Sequence, residues 1–236
     1  MSLTTQTDGD REGLSKAGQS RLTTKPTRRS ANCGAPFFIV EKSVVMVYNK
    51  LLNYAGVMLG YGELRIREIM EIEMRLANRN EAKACYQCIE DARAYHKALG
   101  FEQWHPDYPT EQTILDDIAQ NIGYAFVKNN EVVGYCCMVF GNEPAYNNID
   151  GAWKTEKPYA VVHRMAFSCK ARGGGLSREA FQLIKDYCLV NHIDAIRVDT
   201  QEENKVMQHI LDREEFAYCG LIQFDGGPKL AYEWDR

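Results

Sequence analysis

The residues with the clearest chemical potential are Gly173, Gly174 and Gly175, which follow Arg172 inside "HRMAFSCKARGGGLSREAFQLIKDYC". They separate an extended apolar run from a helical one. Each glycine weakens a regular element, by about 1 kcal/mol relative to alanine in a helix, so an open backbone must be needed there. A glycine-rich turn after a strand and before a helix exposes N–H groups at the positive end of the helix dipole, a site for phosphate. Without Cβ atoms the backbone can approach a pyrophosphate closely, and Arg172 adds a fixed cation. No Lys-Ser/Thr pair follows the glycines, so a Walker loop is unsuitable. The spacing also fails the dinucleotide fingerprint, and the loop falls too late in the chain to open a Rossmann unit. A plain strand-to-helix turn is the competing reading.

The elements that must position this loop are legible from about Met74 onward. A short strand ends at Ala77, Asn80 is a plausible helix cap, and Cys85, Ile89, Ala92, His96 and Leu99 recur at helical spacing until Gly100. A second helix spans Pro109 to about Asn121, with Ile114, Leu115 and Ile118 on one face. "GYAFVKNNEVVGYCCMVF" reads as two strands around an Asn129-Asn130 turn. A loop (141–157), a strand (159–168), a helix (174–191), the strand "AIRVDT" and a helix (203–214) follow. Two strands joined through Asp225-Gly226-Gly227 complete the chain. The order, β-α-α-β-β-β-α-β-α-β-β, predicts one mixed α/β domain.

The 236 residues carry 28 basic and 32 acidic side chains, a net charge of −4. Residues 1–73 hold 10 basic and 8 acidic groups, leaving 18 against 24 in the remainder. That acidic body argues against nucleic-acid backbone binding. The longest uncharged apolar stretch, "LLNYAGVMLGYG", is too short to span a membrane. Residues 1–36 are polar and read as a disordered leader. Their basic, hydroxyl-rich "SRLTTKPTRRS" has transit-peptide makeup, but Asp8, Asp10 and Glu12 count against one. Residues 37–73 form an N-terminal extension without a definite element, and a functional start near Met70 or Met74 is one account of it. Eight cysteines without scaffold spacing point to a reducing cytoplasm.

The segment from Arg172 to Ser177 resembles motif A of the GNAT (Gcn5-related) N-acetyltransferase superfamily, Arg/Gln-x-x-Gly-x-Gly/Ala, with Ser177 in the last small position. "DTQEENKVMQHILDREEFAYCG" resembles motif B, with Asn204 and Phe216 at the family separation. The resemblance covers about residues 74–236. It implies a mixed, mostly antiparallel sheet, flanked by helices and splayed at an acetyl-CoA site. It further implies that the backbones of Met165, Ala166 and Phe167 hold the pantetheine arm and acetyl carbonyl. Arg172, Gly173, Gly174, Gly175, Leu176 and Ser177 would hold the diphosphate, and Asn204 would reach a pantetheine amide. The activity implied is acetyl transfer from acetyl-CoA to a primary amine of a small molecule or peptide, with no metal; a homodimer is left open.

His163 stands where some relatives place a histidine that accepts the amine's proton, and a buried structural histidine is the alternative. Burial alone would pull its pKa below the reference of ~6.5. Glu143 and Asp225 are further acidic candidates. Trp104, His105 and Tyr108 fall in a loop that borders the acceptor in this fold, and Tyr146 and Trp153 come from a second such loop. The family's thiolate-protonating tyrosine falls on Leu211, and the glycine before Phe216 is Glu215. His209 or Tyr218 are the available substitutes, and direct transfer can proceed without an acid. The missing tyrosine also motivates a non-catalytic acyl-CoA-binding module, and the basic leader an adaptor. Cys85-x-x-Cys88 lacks a second pair and reads as core packing, and Cys136-Cys137 as one side chain in and one out.

Overall fold

The computed structural model describes residues 72–141, 143–171, 174–224 and 226–236. The expected leader, nearly all of the 37–73 extension, Arg172, Gly173 and Asp225 lie outside the described residues.

The chain enters through β1 (Glu73–Leu76) and a single 3-10 turn, Arg79–Glu81, into α1 (Ala82–Ala98). Asn78, not Asn80, is the cap: its side chain accepts from the Asn80 amide while Glu81 reaches back to the Asn78 amide. This reciprocal capping box needs an acid three residues on, which Asn78 has and Asn80 lacks. Cys85, Ile89 and Ala92 are buried as their spacing predicts, but Leu99 sits past the helix end and is 50% exposed. α2 (Glu111–Ala119) starts at a Thr110 cap and buries Ile114 and Asp117.

β2 (Gly123–Lys128) and β3 (Glu131–Phe140) close on Asn129 and Asn130, both with positive φ, as a two-residue hairpin requires. The loop expected at 141–157 contains a 3-10 turn, Pro144–Asn147, and a short strand, β4 (Ile149–Gly151), which pairs with β7 at the far edge. Three residues give no readable alternation, so sequence pattern could not reveal it. β5 (Tyr159–Phe167), α3 (Leu176–Val190), β6 (Ala195–Thr200), α4 (Lys205–Arg213), β7 (Ala217–Phe224) and β8 (Gly227–Asp235) follow.

The sheet order is β1-β2-β3-β5-β6-β8-β7-β4, and each neighbouring pair is antiparallel except β5 with β6. Helices cover both faces. Phe181, Ile184 and Cys188 of α3 pack on Phe126, Met138, Val162 and Ile196. On the other face, Cys85, Ile89 and Ala92 of α1 and Ile114 of α2 pack on Ala125, Val127 and Tyr135. Because both faces are covered, Cys136 and Cys137 are both fully buried, contrary to the alternation expected of a half-exposed strand. Burial pushes the thiols of Cys85 and Cys88 up to about 12, which leaves them inert packing groups.

One irregularity positions the site. β5 pairs with β6 only from Tyr159↔Ala195 to Val162↔Val198, yet it continues five residues further beside β3. Its register against β3 slips between Tyr135 and Cys137, opposite Arg164, whose φ is +54°. A left-handed, non-glycine residue in a strand marks a bulge, which bends the strand and is retained only where its surroundings hold it. Here they do so firmly. Arg164 Nη2 and Nε donate to the two carboxylate oxygens of buried Asp117 at 2.8 and 3.1 Å. Its Nη1 donates to Tyr108 Oη at 2.6 Å, and Tyr135 Oη donates to Asp117 at 2.7 Å. The bend parts β5 from β6 and leaves His163 to Phe167 without a β6 partner.

Candidate active site

A groove of about 410 Å³ opens along the unpartnered edge of β5. Met165, Ala166 and Phe167 form one wall, and Gly175, Leu176, Ser177 and Asn204 form part of the other. The sequence expectation thus brought together residues that the fold places on one surface. Gly174 lies on an adjoining recess with Ala171 and Leu176.

The loop is anchored from below. Asp91 on α1 accepts from the Cys169 amide at 2.7 Å and from Ser168 Oγ at 3.2 Å, while Leu176 buries its side chain. Gly175 is the N-cap of α3 with φ +79°, an angle that side chains resist, and no side chain caps this 15-residue helix. The first amides of a helix have no intrahelical acceptor, which leaves those at Gly175, Leu176 and Ser177 without an intrahelical partner beside the groove. A Cβ built on Gly174 or Gly175 meets nothing within 4 Å, so protein crowding does not explain these glycines. Arg213, at the end of α4, lines the groove and donates to Ser177 Oγ at 3.3 Å. Sequence reading missed this second cation because 36 residues separate it from the loop it meets.

Asn204 is the N-cap of α4 rather than a first-turn residue: its Oδ1 accepts from the Met207 amide at 3.0 Å. Its Nδ2 donates to Gln103 Oε1 at 2.9 Å, leaving one amide hydrogen on a side chain that lines the groove.

A second cavity, about 560 Å³, meets the groove at His96, Met165, Asn204 and Met207. It holds His163, Arg164, Asp199 and Lys229, with Trp104, His105 and Tyr108 from the loop between α1 and α2. His163 Nε2 lies 3.5 Å from Glu143 Oε2, and its Nδ1 lies 3.6 Å from Asp199 Oδ1. The same Asp199 oxygen accepts from the buried Tyr146 hydroxyl at 2.8 Å. Burial is the largest single influence on the imidazole and pulls its pKa down, but Asp199 and Glu143 together outweigh it. The net result lies above the ordinary histidine value, reversing the expectation from burial alone. Contact with His163 in turn holds the Glu143 carboxyl below its usual range. Asp199 could not be assigned from sequence, since an acid at the end of a strand carries no local signature.

Tyr146 and Trp153 do not line the second cavity. Their rings stack at 5.2 Å, and Trp153 Nε1 donates to the Tyr146 carbonyl at 3.0 Å, so Tyr146 supports Asp199 from behind. His209 is exposed and Tyr218 is 57% exposed, and neither lines the groove or the cavity. Leu211 is fully buried in the core under α3 and α4. The groove-facing positions of α4 are Val206, Met207, Ile210 and Arg213, none of them a tyrosine. Leu211→Tyr is therefore expected to lower stability by about 1–3 kcal/mol through overpacking without raising acetyl transfer. Chemical denaturation alongside a rate measurement checks both halves.

A family model, "Acetyltransferase (GNAT) family", matches residues 77–216. A comparison with curated proteins finds no match. Among solved structures, a GNAT-family acetyltransferase from Streptococcus agalactiae 2603 shares 32% identity, covering 70% of this chain and 95% of its own, with a TM-score of 0.65. Another GNAT-family acetyltransferase, from Listeria monocytogenes 4b F2365, shares the fold at 16% identity and a TM-score of 0.56, covering 70% of this chain and 95% of its own. AAC(6')-Ib, solved in complex with acetyl-CoA, shares it at 18% identity and a TM-score of 0.53, covering 70% and 94%. With its glycine loop at the head of α3, its parted β5 and β6 and this match over most of the described domain, the chain belongs to the GNAT acetyltransferase family.

Proposed function

We propose that this protein transfers the acetyl group of acetyl-CoA to a primary amine by direct attack, with His163 as the group that takes the amine's proton. One observation carries the reading. The free edge of β5, from His163 to Phe167, borders a continuous path from the amides at the head of α3 to the cavity containing His163. The diphosphate would lie on the amides of Gly174 to Ser177, together with Gly173 and Arg172, with Arg213 beside it. The pantetheine arm would pair with Met165, Ala166 and Phe167 and take the remaining Asn204 hydrogen.

The amine, once a first proton has passed to His163 directly or through water, attacks as the neutral base and forms a C–N bond to the thioester carbonyl carbon; the further proton on the new amide nitrogen goes to the departing thiolate. A β5 amide receives the developing oxyanion, and the C–S bond breaks with the thiolate as leaving group. Alignment of amine and thioester supplies most of the rate, since effective molarities of about 10⁵ M or more are available from positioning alone. The thiol's ordinary pKa of ~8.5 makes its thiolate an adequate leaving group, consistent with no tyrosine on the groove face of α4. Among the described residues, no helix is long and apolar enough to cross a membrane.

The test is release of free thiol from acetyl-CoA against a panel of primary amines, with the acetylated product identified by mass. Amine-dependent release supports the reading. Tight acetyl-CoA binding without release for any amine would favour the acyl-CoA-binding module, which the buried Leu211 otherwise motivates. A chain starting at Met70 is expected to fold and bind acetyl-CoA as the full chain does. Structural relatives complete to 95% of their own length cover only 70% of this one. Loss of folded protein or of affinity on that truncation would place residues 37–69 in the domain.

A further inference from the structure

The acceptor-side cavity contains a cation that acetyl transfer leaves without a role. Lys229, near the start of β8, is only 9% exposed, yet it lines this cavity. Its ammonium makes no hydrogen bond or ion pair with any described residue; Asp199 and Glu203 act on it only through space. Burial pulls its pKa down despite those two carboxylates. Buried ammonium groups are costly unless paired. The other cavity cation differs in this respect, because Arg164 is committed through three nitrogens to Asp117 and Tyr108.

Placement supplies the second half of the argument. Asp199 stands opposite Ala231 across β6 and β8, and Lys229 lies two residues before Ala231, so both side chains share one sheet face. On that face the cavity is electrically divided. Glu143 and Asp199 flank His163 and favour a protonated amine on arrival, while Lys229 favours an anion. Trp104, Tyr108 and Phe224 line the same space and suit an apolar body. An acceptor with cations alone would meet the repulsion of this ammonium, which selects against it.

We propose that Lys229 anchors a carboxylate on the acceptor, so that the substrate is a small amino-acid-type zwitterion with its amine at His163 and its acid at Lys229. This deepens the N-acetyltransferase reading and rests on it. An anion at Lys229 also relieves the burial that disfavours its charged form.

The experiment measures kcat/KM for matched pairs, phenylalanine with phenylalaninamide and methionine with methioninamide, in the wild type, Lys229→Met and Lys229→Arg. The amide's amine is less basic, so the readout is the acid-to-amide ratio within each variant. Lys229→Met is expected to lower that ratio about tenfold or more, mainly through KM of the acid, as loss of a charged contact would. Lys229→Arg is expected to keep most of it. In the wild type near neutral pH, kcat/KM divided by the neutral fraction of each amine is expected to favour the acid about tenfold, a reading that needs no folded variant. An unchanged ratio in Lys229→Met, an equal loss in Lys229→Arg, or acetylation of amides without preference for acids overturns the anchor and leaves acetyl transfer standing. No acetylation of either member of any pair overturns the zwitterion proposal, and thiol release with the wider amine panel then decides separately whether acetyl transfer stands.

Discussion

Gly175→Val is expected to abolish measurable acetyl-CoA binding while leaving the domain folded. The glycine holds φ +79° at the head of α3, where a β-branched side chain is strained whatever the space around it. The strain, about 1–3 kcal/mol, would be relieved by turning the loop, and the amides of Gly175, Leu176 and Ser177 would turn with it. The added methyl groups project into space that meets no protein atom within 4 Å, so the core beneath is not disturbed. Loss of two hydrogen bonds to a charged group, at about 1.5–3 kcal/mol each, amounts to at least about 100-fold in affinity. Isothermal titration with acetyl-CoA, checked by thermal melting, gives the answer. Near-normal affinity in a folded variant would mean that the phosphates do not lie on this loop.

His163→Gln is expected to cost about 100-fold in kcat, the usual range for losing a positioned general base, while the acetyl-CoA dissociation constant stays nearly unchanged. Burial pulls the imidazole's pKa down, and Asp199 and Glu143 raise it to a net value above the ordinary one. Only the neutral form accepts a proton. Log kcat/KM should therefore rise with pH through an apparent pKa above the reference of ~6.5, followed by the amine's own ionisation. Glu143→Gln removes one carboxylate that stabilises the imidazolium, so it should move the lower limb to more acidic pH. His163→Gln should erase that limb. An unaltered limb with a near-normal rate in His163→Gln would make this histidine structural and move proton acceptance to water or Glu143.

The residues that line the candidate donor groove could be named from the sequence because they are nearly contiguous. Strand, glycine loop and helix run from Met165 to Ser177, and the groove uses them in that order. The second cavity was legible only in part: Trp104 and His163 could be named, but its residues converge from five places, and His96, Asp199 and Lys229 carry no local signal of it. His96 illustrates the difficulty. Its spacing with Ala92 marks a helix face, but no periodicity says that the last turn of that face ends where two cavities meet. The bulge at Arg164 was also hidden, because a left-handed arginine is held there by Asp117, 47 residues away. Asn204 was found by motif and its role as a helix cap by structure, and the two are compatible since the cap uses only Oδ1.

Acetyl-CoA is expected to occupy the gap where β5 leaves β6, and a crystal structure of the complex is the measurement that decides this. That structure is expected to show the diphosphate on the amides of Gly175, Leu176 and Ser177, and the pantetheine arm paired along Met165 to Phe167. It is also expected to place the thioester carbonyl carbon at the mouth of the cavity that holds His163. A pantetheine arm lying elsewhere on the protein, or a thioester remote from His163, would contradict it.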